Sequence, residues 1–373
     1  MNGLNKISNS NNRSKIVANH IARRVGAEVQ KRIDALKIGQ KMQDLPEELW
    51  HDSFRFYVKH DPNRQGGPNL RMIRLDPNQP SLTVTGYVFN KFVHPYENRF
   101  ITVREAARLQ GFPDRLKFEG TLTSTQLQVG NAVPVPLAKA VFEQVVSTAQ
   151  SLGFENRPLK AFSLFSGAGG MDIGADCTGC IETRISLDCW SDACATLRGF
   201  FGERVCVLEQ DISSIEDPLH LWQNTSGEAD APELVFGGPP CQAFSQAGKQ
   251  KGLKDCRGLM IFEFLRFVER LNPPFFVMEN VSNLKGIGGG SLYQKILENM
   301  KNLGYNVSVG LLLGADFGVP QLRRRLFFLG CRKDVGSINL PMPTHSCELE
   351  LFALQPYVTV GEAFAGLSEA EFS

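Results

Sequence analysis

The chain has 373 residues, 42% of them apolar and 21% charged, with a net charge of +1. This is the make-up of an ordinary soluble globular protein, large enough for two domains or for one large domain with a satellite. No apolar run reaches the length of a membrane span, so no membrane partner is implied, and the polar, Asn/Ser-rich residues 1–12 are no signal peptide. Nine cysteines without paired spacing fit a reducing cytosol better than a disulfide scaffold, so the expected location is cytoplasmic. Charge is unevenly spread. Residues 1–75 carry 14 Lys/Arg against 7 Asp/Glu, whereas residues 334–373 carry six acids and no Lys or Arg. A basic segment suits phosphate binding, and equally a solvated surface.

In chain order, residues 1–15 are expected to be disordered. Residues 16–60 alternate helical stretches with turns. Asp44-Leu45-Pro46-Glu47-Glu48-Leu49-Trp50 predicts a short helix with Pro46 near its first position. Residues 61–69 form a Gly/Pro/Asn loop, 81–85 a strand, and 102–109 a helix that stops before Gly111. A second helix starts near Pro134-Val135-Pro136, with Leu137, Val141 and Val145 on one face and Ala138 and Phe142 beside them. Residues 151–158 read as a linker. Beyond Lys160 short apolar strands (161–165, 185–187, 205–208, 234–236, 275–278, 326–329) alternate with helical spacing (261–271, 292–303). That alternation predicts an α/β fold with a doubly wound, mostly parallel sheet. There is no internal repeat.

Five features carry chemistry. Cys241 follows a predicted strand and a stiff Gly237-Gly238-Pro239-Pro240 loop, which would hold a thiol at the ligand-binding edge of the sheet. A thiolate there is a strong nucleophile; the plainer alternative is a buried structural cysteine. Phe165-Ser166-Gly167-Ala168-Gly169-Gly170 is a glycine-rich strand-to-helix turn whose spacing is not that of the dinucleotide fingerprint. Asp188 ends the next strand, where an acid suits a ribose diol, and Asp211-Ile212 follows the third, where an acid suits an adenine amino group. Glu279 stands at a strand end, where partial burial would keep its carboxyl protonated. In Gln321-Leu322-Arg323-Arg324-Arg325 an extended backbone puts Arg323 and Arg325 on one face. Cys177 and Cys180 form a lone C-x-x-C and the six histidines have no metal spacing, so no metal is expected.

The stretch Gly237-Gly238-Pro239-Pro240-Cys241-Gln242-Ala243-Phe244-Ser245 resembles the nucleophile motif of the DNA (cytosine-5)-methyltransferases. Three further stretches are similar to other motifs of that family: the glycine turn, Gln321-x-Arg323-x-Arg325, and Gln128-Val129-Gly130-Asn131-Ala132-Val133-Pro134. The resemblance implies a Rossmann-like methyltransferase sheet that uses S-adenosyl-L-methionine. Phe165, Gly167, Gly169, Asp188, Asp211, Ile212, Leu259, Asn131, Ala132 and Val133 would line the cofactor. It also implies that Cys241 adds to C6 of a cytosine flipped out of double-stranded DNA, with Glu279 as the acid at N3. One of Arg323 and Arg325 would reach O2 while the other braces the loop or a phosphate. Gln242, Ser245, Lys249 and Lys251 would touch DNA.

In the family the glycine turn usually comes first and the Gln-Val-Gly-Asn turn last. Here the order is reversed, which resembles a circular permutation. Residues 91–150 would hold the family's last motifs, 151–158 the joining linker (~26 Å when extended) and 159–335 the catalytic and cofactor-binding domain. Residues 1–90 and 336–373 would form a small target-recognition region from the two chain ends, unless a second chain supplies part of it. The setting implied is a bacterial or phage restriction-modification system. The alternatives are an RNA cytosine-5 methyltransferase and a non-catalytic DNA-binding subunit.

Overall fold

A computed structural model describes residues 17–60, 72–86, 88–154, 157–240, 260–347 and 354–372. Its centre is a seven-stranded sheet: β1 (Leu159–Leu164), β2 (Ile181–Asp188), β3 (Cys206–Glu209), β4 (Leu234–Gly237), β5 (Phe275–Val281), β6 (Tyr305–Leu313) and β7 (Arg324–Arg332). Their order is β6-β7-β5-β4-β1-β2-β3. β1 to β5 pair in parallel, and β7 runs antiparallel to both β5 and β6. This is the predicted doubly wound, mostly parallel α/β sheet, with one antiparallel strand, β7, inserted between β5 and the edge strand β6. β6 escaped notice because Asn306, Ser308 and Gly310 interrupt its apolar pattern.

The helices are α1 (Ala27–Ala35), α2 (Asp52–His60), α3 (Val103–Leu109), α4 (Leu122–Asn131), α5 (Val135–Ser151), α6 (Gly170–Asp176), α7 (Ser191–Phe201), α8 (Pro218–Ser226), α9 (Met260–Leu271), α10 (Ser291–Asn302) and α11 (Val360–Phe364). Helix α9 shows why they form. Ile261, Phe264, Leu265, Val268 and Leu271 repeat at helical spacing and are buried, while Glu263, Arg266, Glu269 and Arg270 take the other face. It packs with α10 and Trp222 of α8 on one side of the sheet. On the other side lie α5 and α6, where Phe142 meets Phe236 edge-on at 4.9 Å. Each such buried aromatic contributes ~1.5–3 kcal/mol. All five apolar residues expected on the face of α5 are buried, and the helix runs to Ser151, one residue into the expected linker.

Three local expectations need correction. Residues 44–50 form no α-helix: 3₁₀ turns at Met42–Asp44 and Glu47–Leu49 flank Pro46, which caps the second rather than entering it. The strand at 81–85 is only Ser81–Leu82, paired in parallel with Gln321–Leu322. Side chains replace the ladder beyond it, Val84 N donating to Gln321 Oε1 at 2.7 Å. Phe165 is not part of β1, because its φ of +54° turns the chain out of the strand.

The two chain ends meet. Ile21–Ala22 pairs in parallel with Glu371–Phe372, His20 Nε2 bonds Ser368 O at 2.9 Å, and α11 hangs on Pro77 O and Gln79 O through the amides of Gly361 and Val360. A separate apolar cluster gathers Ile33, Leu36, Met42, Leu45, Phe54, Met72, Val93 and Phe100. Among the described residues no helix is long and apolar enough to cross a membrane.

The segment before β1 fits the glycine turn without spare room. A Cβ on Gly170 would stand 2.1 Å from Val133 O, and one on Gly174 2.5 Å from the Ala138 Cβ. Backbone cannot yield as a flexible side chain does, so Gly170→Ala is expected to lower stability by about 1–3 kcal/mol. A denaturant midpoint equal to that of the unsubstituted chain would contradict this packing.

Candidate active site at the C-terminal edge of the sheet

The register brings the singled-out strand ends to one edge. Leu164 of β1 lies opposite Gly237 of β4 and Leu187 of β2, Gly237 opposite Met278 of β5, and Asp188 opposite Glu209 of β3. Ligands bind at this edge in open α/β sheets, at the point where strand order reverses; here that is between β1 and β4.

On one side of that point is the glycine turn. Phe165 takes the left-handed conformation, a cost that a non-glycine residue rarely bears outside functional sites. It is half-buried against the cluster that includes Ile185, Leu187 and Ile212. Gly167 has φ +53° and open space where a Cβ would be, whereas Gly169, at φ +81°, would put a Cβ 2.5 Å from Leu197. Asp188 holds the turn, accepting from Gly167 N and from Trp190 N, both at 2.8 Å. Burial pushes its carboxyl up, against the pull of those amides. Asp211 is exposed and accepts from Ser213 N and Oγ, which hold its carboxyl below the usual range. Ile212 beside it is buried. Gln210 N donates to Asp188 O at 2.9 Å and so ties the two acidic turns together. Asn131 is the exposed last residue of α4, followed by half-buried Ala132 and buried Val133.

On the other side are β4, β5 and β7. A Cβ on Gly237 would meet Leu164 O at 2.1 Å, so only glycine lets β4 end this close to β1. Asn280 Nδ2 donates to Pro239 O at 2.9 Å and fixes the Gly-Pro-Pro loop to the end of β5. Glu279 is 8% exposed, and Arg325 Nε stands 2.8 Å from its Oε1. Burial pushes the Glu279 carboxyl up, although Arg325 and Arg323 pull it down. Burial outweighs the two guanidinium groups, so the carboxyl stays above its usual range. Arg323 and Arg325 turn inward and Arg324 outward, as the alternation predicts. Their surroundings differ. The fully buried Arg323 donates to Val84 O at 2.5 Å and to Gly130 O at 3.0 Å, so it braces backbone rather than facing a ligand. Burial drives its pKa well down.

Cys241, Gln242, Ser245, Lys249, Lys251 and Leu259 lie outside the described residues. Pro240, the last described residue before Cys241, is exposed at this edge.

Sequence reasoning passed over three buried polar groups here: Asn280, Gln110 and Asp172. Asn280 directly follows Glu279 in an otherwise apolar strand and Asp172 lies just past the glycine turn, so each offered a local signal; Gln110 offered none, because its role rests on partners elsewhere in the chain. Asp172 Oδ1 accepts from Ser186 Oγ at 2.6 Å while Oδ2 has no partner, and burial raises the carboxyl to about 6. Below pH ~4 this carboxyl is protonated in both folded and unfolded chains, and its contribution to stability is fully present. As pH rises through about 6 the folded carboxyl must ionise while buried, and that contribution, about 3 kcal/mol, is lost. Asp172→Asn should therefore gain on the unsubstituted chain by up to that amount between pH 4 and pH 8 in urea unfolding. A constant gap would refute the assignment.

The family model for C-5 cytosine-specific DNA methylases matches residues 4–147 and 159–356, leaving out the stretch that joins α5 to β1. Over 226 residues the chain is 39% identical to the Type II methyltransferase M.AquIA of Picosynechococcus sp., covering 57% of this chain and 90% of that protein. It is 40% identical over 207 residues to the Type II methyltransferase M1.HphI of Haemophilus parahaemolyticus, covering 55% and 52%. It is 39% identical over 217 residues to the Type II methyltransferase M.NgoFVII of Neisseria gonorrhoeae, covering 57% and 54%. The chain thus spans about half the length of the last two relatives. With nine-tenths of its residues matched by one family model, and with that family's motifs gathered on one sheet edge, the chain belongs to the C-5 cytosine-specific DNA methylase family.

Proposed function

We propose that the chain is a DNA (cytosine-5)-methyltransferase that uses S-adenosyl-L-methionine and acts on a cytosine turned out of duplex DNA. The observation that carries this reading is the pair Glu279–Arg325 at 2.8 Å, held beside the Gly-Pro-Pro loop that leads to Cys241. The open space above Gly167 and the left-handed turns at Phe165 and Gly167 fit a cofactor lying against backbone. Phe165, Asp188, Asp211, Ile212 and the Asn131-Ala132-Val133 turn would hold it. When bound, it supplies an electrophilic methyl group.

The Cys241 thiolate attacks C6 of the cytosine and forms a C–S bond. The protonated Glu279 carboxyl donates to N3, so that electron density gathers at C5, while Arg325 donates to O2. After C5 has taken the methyl group, loss of the C5 proton to water re-forms the C5–C6 double bond as the thiolate is expelled, and N3 returns its proton to the Glu279 carboxylate. Arg323 keeps Arg325 in place and takes no part in the chemistry.

The paired chain ends would form the target-recognition region, and the order of motifs would be a circular permutation joined at 151–158. The gap in the family match at 148–158 supports that joint. We place the enzyme in a restriction-modification setting in the cytoplasm, on the strength of the Type II relatives. The test is incubation with labelled S-adenosyl-L-methionine and either duplex DNA or transfer RNA. Label in cytosine of the duplex supports the reading, whereas label in the RNA alone would move the substrate to the RNA branch.

A further inference from the structure

A closed circuit of buried hydrogen bonds joins the two halves of the site. Gln110 Nε2 donates to Val129 O at 2.7 Å, in the last turn of α4 before the Asn131-Ala132-Val133 turn. Gln321 Nε2 donates to Gln110 Oε1 at 2.9 Å and to Leu109 O at 3.0 Å. Val84 N donates to Gln321 Oε1 at 2.7 Å. Arg323 closes the circuit by donating to Val84 O and Gly130 O. Gln110, Gln321 and Arg323 are fully buried, and backbone is pressed together inside the circuit: a Cβ on Gly130 would stand 2.0 Å from Gly86 N.

The circuit has two outlets. One residue past Gly130 is the turn assigned to the cofactor. Two residues past Arg323 is Arg325, paired with Glu279. Four separate stretches of the chain meet there, and two amide side chains form the junction. A buried amide with both ends satisfied permits one arrangement of its neighbours, because any shift leaves a donor or acceptor unpaired. Movement of the cofactor-side turn must therefore move the arginine arm.

We propose that Gln110 and Gln321 are positioning residues that lock the cofactor-side turn and the base-side arginine arm into one unit, so that the two ligands bind cooperatively. The inference rests on the methyltransferase reading above. Neither glutamine touches a reacting atom.

The test is titration calorimetry of S-adenosylhomocysteine with and without a cytosine-containing duplex, on the full chain. The unsubstituted chain should bind S-adenosylhomocysteine more tightly with duplex present, by about 5- to 150-fold. Gln321→Met keeps length and volume but removes the bonds. It should cut that ratio to about twofold or less while the affinity for each ligand alone stays within about threefold. Gln110→Met should do the same, and it carries the test should Gln321→Met fail to fold, since it leaves Gln321 its bond to Leu109 O. A ratio near one in the unsubstituted chain, or a full ratio in either folded variant, would overturn the proposal. Failure of the unsubstituted chain to bind either ligand would instead remove the methyltransferase reading on which it rests.

Discussion

Cys241→Ser should abolish methyl transfer to duplex DNA, by about 10⁴-fold or more, and leave no stable adduct with duplex carrying 5-fluorocytosine. A serine hydroxyl ionises far above neutral pH and cannot supply the anion that a thiol supplies. The fluorine blocks the last step, because there is no C5 proton to lose, so the carbon–sulfur bond persists once formed. The effect is expected to be this large because Cys241 follows the Gly-Pro-Pro loop fixed to the end of β5, whereas Cys189, exposed at the same edge beside Asp188, has its thiol pushed up by burial and by the neighbouring carboxylates. Cys194 and Cys331 are buried, with thiols pushed up by burial to about 12 and about 11. A denaturing gel of protein and trapped duplex checks the result. An adduct of undiminished yield with the serine variant would remove Cys241 from the mechanism.

Glu279→Gln should slow adduct formation by about 10²–10⁴-fold while duplex affinity changes little. An amide still fills the space beside Arg325 but has no proton to give to N3. The pH profile adds an independent check. In the unsubstituted enzyme the rate needs a protonated Glu279 and an ionised Cys241. It should fall on the alkaline side as pH rises through the upward-shifted pKa of Glu279, and on the acid side as the thiolate is lost. The glutamine variant should lose only the alkaline fall. An unchanged alkaline limb in that variant, measured by quenched-flow trapping, would show that some other group titrates there.

The sheet was legible because strands buried on both faces read as apolar runs, as in Leu234-Val235-Phe236 and Phe275-Phe276-Val277-Met278. The edge strand β6 was not, since it is only half covered and tolerates Asn306, Ser308 and Gly310. Short motifs placed Glu279, Asp188 and the arginines near strand ends, and the structure brings these to one edge of the sheet. They could not divide Arg323 from Arg325, whose difference comes from Val84 and Gly130, each more than 190 residues away along the chain. Long-range polar pairing of this kind leaves no local pattern. The same holds for Gln110 and Gln321, whose role rests on partners elsewhere in the chain.

The most direct test of the account is the position of the transferred methyl group. After reaction of the chain with labelled S-adenosyl-L-methionine and duplex DNA of mixed sequence, nucleoside mass spectrometry should find the label in 5-methylcytosine. Label in N4-methylcytosine or N6-methyladenine would contradict the account, because neither product requires a thiolate at C6.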